Sequence, residues 1–246
     1  MSKIKIKIAF LGHLPHSLDT QKIKNWKSDL FKILTPINDY TIATNSDGSD
    51  WEYTDEVIQE QLPQRRDADI LLVVTNVPIQ SNYFARRFTD NRICITYNEM
   101  AKILKDDNIP LENLILRVLY SVSFLYKKYD DRIPLMSEST NFTHDETRGC
   151  IFDMDGIKTD TIYSTNQPQI CHSCVESLTI SRVEKNLIDS IQKELKKIKK
   201  GLYYQIADFV KTKPIISFII TLFIAFIINL SSNFAYDLIK LLLKVK

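Results

Sequence analysis

Residues 214–236 constrain the fold more than any other stretch, because this run contains no charged side chain and is mostly isoleucine, phenylalanine and leucine. A helix of about 20 apolar residues crosses the roughly 30 Å hydrocarbon core of a bilayer. A buried helix of a soluble domain is the alternative interpretation, but apolar side chains on every face favour a membrane span. The sequence therefore predicts a transmembrane helix over 214–235, with membrane lipid as its partner.

The flanks of this span predict its orientation. Seven lysines precede it, at positions 193, 196, 197, 199, 200, 211 and 213. Positive charge beside a span favours the cytoplasmic side, and the first residues read as a strand with no apolar signal core. We expect a single-pass protein of the cell inner membrane with its soluble domain in the cytoplasm. Residues 236–246 are predicted to form an amphipathic tail that crosses, lines or lies on the membrane.

The chain before the span alternates strand and helix patterns, which predicts an α/β domain over 1–178. Strands are predicted over 3–11, 40–43, 68–75 and 92–97, and helices over 23–34, 56–62, 98–104 and 110–129. Residues 179–213 are predicted to form a basic amphipathic linker helix. Its apolar residues at 188, 191, 195, 198 and 202 fit either a coiled-coil seam or one helix lying on the domain. The formal net charge of +2 disfavours a nucleic-acid partner.

Three of the four cysteines lie close to a histidine between residues 144 and 174. Thiolates and imidazole are preferred ligands of Zn²⁺, and four of them complete a tetrahedral structural site. The sequence therefore predicts a structural zinc site with the ligands His144, Cys150, Cys171 and Cys174. Ordinary buried cysteines are the alternative, and that is the interpretation we give to Cys94 within its strand.

The order of these residues resembles the closing part of the archaemetzincin family of zinc proteins. In that family a zinc-binding histidine is followed directly by a cysteine, then by x4-C-x-M, a spacer and C-x2-C. His144 and Cys150 match this pattern, as does the final Cys-x-x-Cys pair. Asp145 stands at the position of the family's first cysteine, and Phe152 at that of its methionine. Either His144 or Asp145 is thus implied as the fourth ligand of the family's structural zinc.

The resemblance covers roughly residues 4–178 and implies a metzincin-like mixed sheet with helices and a structural zinc loop. The peptidase motif HExxHxxGxxH of the family is absent, because the predicted helix 110–129 contains no histidine. Counting back from His144 places Pro134 and Glu138 at the first two histidine positions and Leu135 at that of the general base. Proline cannot bind zinc and leucine cannot accept a proton. The resemblance therefore implies a pseudoenzyme without catalytic residues.

We expect a catalytically inactive, zinc-stapled and membrane-tethered sensor or effector, in the manner of a membrane-perturbing stress or antiphage defence protein. It would form a homo-oligomer and respond to an unknown protein or small-molecule activator. One alternative is a membrane-anchored zinc hydrolase with a rearranged site using Glu138 or Glu146. A second alternative is a plain membrane scaffold. Weaker patterns are the Asp153-Met154-Asp155 sequence, which is similar to a phosphotransfer motif, and the Arg86-Arg87 pair, which fits a solvated helix face or an anion site.

Overall fold

The computed structural model describes residues 2–138 and 140–242 and contains one mixed five-stranded sheet. Its strands are β1 (Ile4–Leu11), β2 (Phe31–Tyr40), β3 (Ile70–Thr75), β4 (Ala85–Phe88) and β5 (Arg92–Thr96). The strand order is β2-β1-β3-β5-β4. Neighbouring strands are parallel except β4, which runs antiparallel to β5. The fold is therefore α/β, as predicted.

The centre of the sheet is the fully buried strand β3, which pairs with β1 on one side and β5 on the other. All six of its residues are buried, which matches the continuous apolar run of a strand covered on both faces. Alternate residues of β3 belong to two apolar clusters, one on each side of the sheet. The larger cluster includes the buried apolar side chains of the central helices and, from the predicted zinc loop, Cys150, Ile151 and Phe152.

Nine α-helices are present in the described residues. They are α1 (Thr20–Lys24), α2 (Asp55–Gln61), α3 (Met100–Asp106), α4 (Glu112–Lys128), α5 (Thr161–Thr165), α6 (His172–Ile180), α7 (Lys185–Leu195), α8 (Leu202–Thr212) and α9 (Pro214–Leu242). Helix α4 is the central helix of the domain, since fourteen of its residues are buried. It contains no histidine.

The predicted helix 23–34 and strand 40–43 are wrong. Helix α1 ends after one turn, where the backbone N–H of Asn25 donates to the carbonyl of Gln21, and the chain then enters β2 at Phe31. Pairing with β1 determines this outcome, because Ile4 lies opposite Phe31 and Ile6 opposite Ile33. The bulge in this edge strand accommodates a proline at position 36, where a ladder hydrogen bond is not required.

The Arg86-Arg87 pair lies in the edge strand β4 and not on a helix face. The Arg86 guanidinium forms a two-pronged ion pair with the carboxylate of Asp55 at the start of α2. This contact raises the pKa of Arg86. Arg86 is thus occupied by a carboxylate of its own domain, and the structure assigns it no anion-binding role.

The chain divides into two compact units, Met1–Lys200 and Gly201–Lys246. The first extends past the boundary expected near residue 178, because α7 packs its apolar side on the domain. Ile188, Ile191, Leu195 and Ile198 are fully buried there. Leu202, the fifth apolar residue of this pattern, is exposed, and two helices, α7 and α8, occupy the segment predicted as one linker helix.

The second unit contains α8 and α9. Residues Pro214–Leu241 of α9 have the length and apolar composition needed to cross a membrane, and none of the most apolar part of this stretch is buried inside the protein. A helix that is apolar on all sides and has no protein covering it is typical of a membrane span.

Candidate metal centre

A folded loop between residues 144 and 171 brings the predicted metal ligands together. His144 pairs with the segment around Asp153, because its N–H donates to the carbonyl of Phe152 at 3.2 Å. Cys150 pairs in the same way with Gln169, whose backbone N–H donates to the carbonyl of Gly149 at 2.9 Å. These two isolated bridges fold the loop so that His144 lies beside Asp153, and Cys150 lies beside Gln169, two residues before Cys171.

The Cys-x-x-Cys pair begins helix α6. Cys171 is the N-cap residue and Cys174 lies in the first turn, so both thiols face the same side of the helix start. The backbone N–H of Cys171 donates to the Cys150 sulfur at 3.4 Å. The helix end thereby presents two sulfurs and an N–H to the loop that carries the third cysteine.

The ligand atoms of His144, Cys150, Cys171 and Cys174 all lie within 4.8 Å of one another. His144 Nε2 is 3.5 Å from Cys171 Sγ. Ligands of a tetrahedral Zn²⁺ with sulfur at about 2.3 Å lie roughly 3.8 Å apart, so the observed spacing matches such a site. The cluster of one histidine and three cysteines therefore fits a structural zinc ion.

The electrostatics of the cluster favour a cation. A hydrogen bond from the Cys174 thiol lowers the pKa of Cys150 to about 5, and the same contact raises the pKa of Cys174. Burial opposes a charged imidazole at His144, but the adjacent Cys150 and Cys171 sulfurs raise its pKa overall. Three crowded sulfurs thus share protons, and a bound zinc ion replaces those protons with a single divalent charge.

The buried carboxylate of Asp153 supports this loop from behind. Its Oδ2 accepts hydrogen bonds from the backbone N–H groups of Arg148 at 3.0 Å and Cys150 at 2.9 Å. Its Oδ1 lies 3.5 Å from His144 Nδ1. The same ring nitrogen is 2.9 Å from the carbonyl of Glu146, which can only accept a hydrogen bond. Nδ1 therefore carries the proton, which leaves Nε2, 3.5 Å from Cys171 Sγ, as the ring nitrogen that faces the cluster and would bind a metal.

Arg148 covers the outer side of the cluster. Its guanidinium donates to Cys171 Sγ at 3.5 Å, to Ser173 Oγ at 2.9 Å and to a carboxylate oxygen of Glu146 at 2.6 Å. The next residue, Gly149, has a φ of +69°, and a Cβ there would lie 3.1 Å from the carbonyl oxygen of Tyr163. The turn into Cys150 thus requires glycine on both conformational and steric grounds.

The remaining residues singled out in the sequence lie outside this cluster. Asp145 is exposed, and the metal-binding group includes His144 in its place. Cys94 is buried within β5, as expected. His172 is exposed and lies 3.6 Å from Glu176 on the same helix. Glu138 accepts two hydrogen bonds from Arg132, so its carboxylate is already engaged.

The two aspartates of the phosphotransfer-like motif are buried structural groups. Asp155 forms an ion pair with Arg117 of α4 at 2.8 Å, and both side chains are almost fully enclosed. The Arg117 guanidinium also donates to the carbonyl of Asp153 at 2.8 Å. These contacts fasten the metal loop to the central helix. This role was not predicted from the sequence, although Asp153 lies three residues after the predicted ligand Cys150.

Comparison with known proteins adds one match. The structure is similar to the crystal structure of archaemetzincin from Methanopyrus kandleri, with a TM-score of 0.42 and 13% sequence identity. The match covers 73% of this chain and 96% of that chain. No family model and no curated protein matches the sequence.

Proposed function

We propose that the protein is a membrane-tethered binding domain whose metal loop is closed by a structural zinc ion. The observation that carries the proposal is the set of four ligand atoms within 4.8 Å of one another. Four protein ligands complete the coordination of zinc, whereas a catalytic zinc keeps one position for water. In this arrangement the metal maintains the loop between α4 and α6 and performs no hydrolysis.

The central helix supports the absence of peptidase chemistry. A zinc peptidase of the HExxH type needs two histidines one turn apart with a glutamate between them as general base. Helix α4 has no histidine, and its polar residues Asn113 and Arg117 are buried in contacts with other parts of the domain. The domain thus acts by binding a partner or a small-molecule activator.

The tether places this domain beside a membrane. Helix α9 is long and apolar enough to span, and exposed lysines at 193, 196, 197, 199, 211 and 213 come before it in the chain. Lysines near a span favour the cytoplasmic side and attract anionic headgroups. We assign the domain to the cytoplasmic face of the cell inner membrane.

The decisive test of the zinc staple is metal content. Elemental analysis of the purified full-length protein is expected to give one zinc per chain for the wild type and a large loss for Cys171→Ser/Cys174→Ser. Cys94→Ser is the matched control, because that cysteine is buried away from the cluster, and its zinc content should equal that of the wild type. A folded wild type without metal would refute the staple.

The tether and the effector role need separate measurements. Full-length protein should remain in the membrane fraction after alkaline carbonate washing, and a chain ending at Lys200 should be soluble.

As an effector, the protein would lower membrane integrity when expressed and activated, and deletion of 212–246 would abolish this effect. Unchanged membrane integrity on activation would leave a plain membrane scaffold as the function.

A further inference from the structure

Helix α9 contains two asparagines inside a mostly apolar segment. Asn229 and Asn233 are four residues apart, and Asn233 Nδ2 donates to Asn229 Oδ1 at 3.3 Å. The uncharged run 214–236 is roughly 34 Å long at 1.5 Å per residue, with its midpoint near residue 225. Asn229 then lies about 6 Å from the bilayer midplane and Asn233 about 12 Å from it. Both amides are therefore within the hydrocarbon core.

These amides are not satisfied by their own helix. The contact between the two side chains uses Nδ2 of Asn233 and Oδ1 of Asn229. Among the described residues, no hydrogen bond involves the other two amide atoms, Nδ2 of Asn229 and Oδ1 of Asn233. The hydroxyls of the same segment differ, because Ser217 and Thr221 donate to backbone carbonyls one turn earlier, at 2.8 Å and 2.9 Å. Polar groups in hydrocarbon are costly unless they are paired. The asparagines thus require a partner from outside the helix.

The asparagines lie on one row of small and polar residues that we call the polar face: Ala225, Asn229 and Asn233. Four-residue spacing places each beside the next on the helix surface. Small residues allow two helix backbones to approach closely in a membrane, and amide side chains hydrogen-bond across the contact. The polar face therefore has both features of a helix–helix interface.

We propose that the polar face of α9 binds the same face of a second copy of this chain. The described residues contain one helix able to cross a membrane, so no other span among them supplies the partner. Copies inserted in one orientation place Asn229 and Asn233 at identical depths. Asparagine carries both donor and acceptor, so two copies related by a two-fold axis satisfy each other. This inference rests on the proposed membrane tether and adds its partner.

The test is sedimentation of the full-length protein in density-matched detergent micelles at several protein-to-detergent ratios. The wild type should associate as the ratio rises. Asn229→Ile/Asn233→Ile should weaken association by about tenfold or more, which corresponds to about 1.4 kcal/mol. Isoleucine favours membrane insertion, so this variant keeps its span. Asn229→Gln retains an amide and should restore most of the association in the presence of Asn233.

Ser231→Ile is the matched control. It removes a polar side chain two residues from Asn229, on a different side of the helix, and should associate like the wild type. A wild type that stays monomeric at every ratio, or a double asparagine variant that associates like the wild type, overturns the inference while the tether stands. Full-length protein that leaves the membrane fraction on carbonate washing overturns the tether and this inference together.

Discussion

Replacing Asp153 by asparagine and by alanine separates two roles of this side chain at the metal loop. Asparagine keeps an acceptor oxygen for the backbone N–H groups of Arg148 and Cys150. It places an amide N–H₂ where a carboxylate oxygen now lies 3.5 Å from His144 Nδ1. The asparagine variant therefore loses the attraction to the imidazole N–H and keeps the loop. The alanine variant loses both.

The magnitudes follow from these contacts. Loss of a carboxylate that orients a metal-binding histidine typically weakens metal affinity by about 10–100-fold, or about 1.4–2.7 kcal/mol. Asp153 Oδ1 forms no hydrogen bond and attracts the imidazole N–H across 3.5 Å, so for Asp153→Asn we expect the lower end of that range, about tenfold, with little change in the zinc-saturated fold. Asp153→Ala also removes the two hydrogen bonds that the neutral asparagine oxygen still accepts, each contributing about 0.5–1.5 kcal/mol. Its zinc-saturated form should therefore be less stable than the asparagine variant by about 1–3 kcal/mol.

Two assays measure these effects on residues 1–200, the first compact unit. Competition with a chromophoric chelator gives the zinc affinity of each variant. Urea unfolding in excess zinc, followed by tryptophan fluorescence, gives the stability. Trp51 is already exposed in the fold, so the change comes mainly from Trp26, whose Nε1 donates to the Tyr120 hydroxyl at 2.9 Å. Zinc affinity of Asp153→Asn within twofold of the wild type would refute the orienting role. Equal stability of the two variants would refute the loop-supporting role.

Three further changes test other parts of the structure. Asp155→Asn should lower the free energy of unfolding by about 3–5 kcal/mol, because Arg117 then lies buried without a counter-charge. The double variant Arg117→Met/Asp155→Leu should recover most of that loss. A double variant as unstable as Asp155→Asn would contradict this account. Ile191→Ala should cost about 2–5 kcal/mol in urea unfolding, since the side chain is fully buried; a change in oligomeric state without loss of stability would instead indicate a coiled-coil seam. The hydrogen bond from Arg132 lowers the pKa of Glu138 to about 2. The contribution of this pair to folding stability is therefore complete above the ordinary carboxyl pKa of 4.5 and is lost as the pH falls to about 2. Arg132→Gln should raise the titration midpoint of the Glu138 carboxyl measured by NMR, and an unchanged midpoint would exclude Arg132 as the cause.

The sequence predicted those elements whose patterns are local and long. Strand β3 is a continuous apolar run, and α4 repeats apolar residues at three- and four-residue steps over its whole length. The segment 23–34 was ambiguous because its apolar residues fit a helical period and also a short strand. Pairing between Phe31 and Ile4 in β1 decided in favour of the strand, and such a contact between distant residues has no local signature.

The ligand types of the metal cluster were readable from the sequence because cysteine and histidine are uncommon and have specific chemistry. Their support was less accessible. The role of Asp153 depends on the fold of the loop, which directs one carboxylate at two backbone N–H groups and an imidazole together. Strand β4 was missed for a related reason, since a four-residue edge strand with two arginines has no apolar alternation.

The attachment of the last residues of the first unit has a mechanical consequence. The carbonyl of Ile198 accepts a hydrogen bond from the N–H of Gln167, and the N–H of Lys200 donates to the side chain of Asn166. Two residues further on, Gln169 forms the ladder with Cys150. Tension applied to the chain beyond Lys200 therefore acts on the segment 166–169, which adjoins the metal loop, and on Asp107, whose carboxylate lies 3.0 Å from Lys200 Nζ.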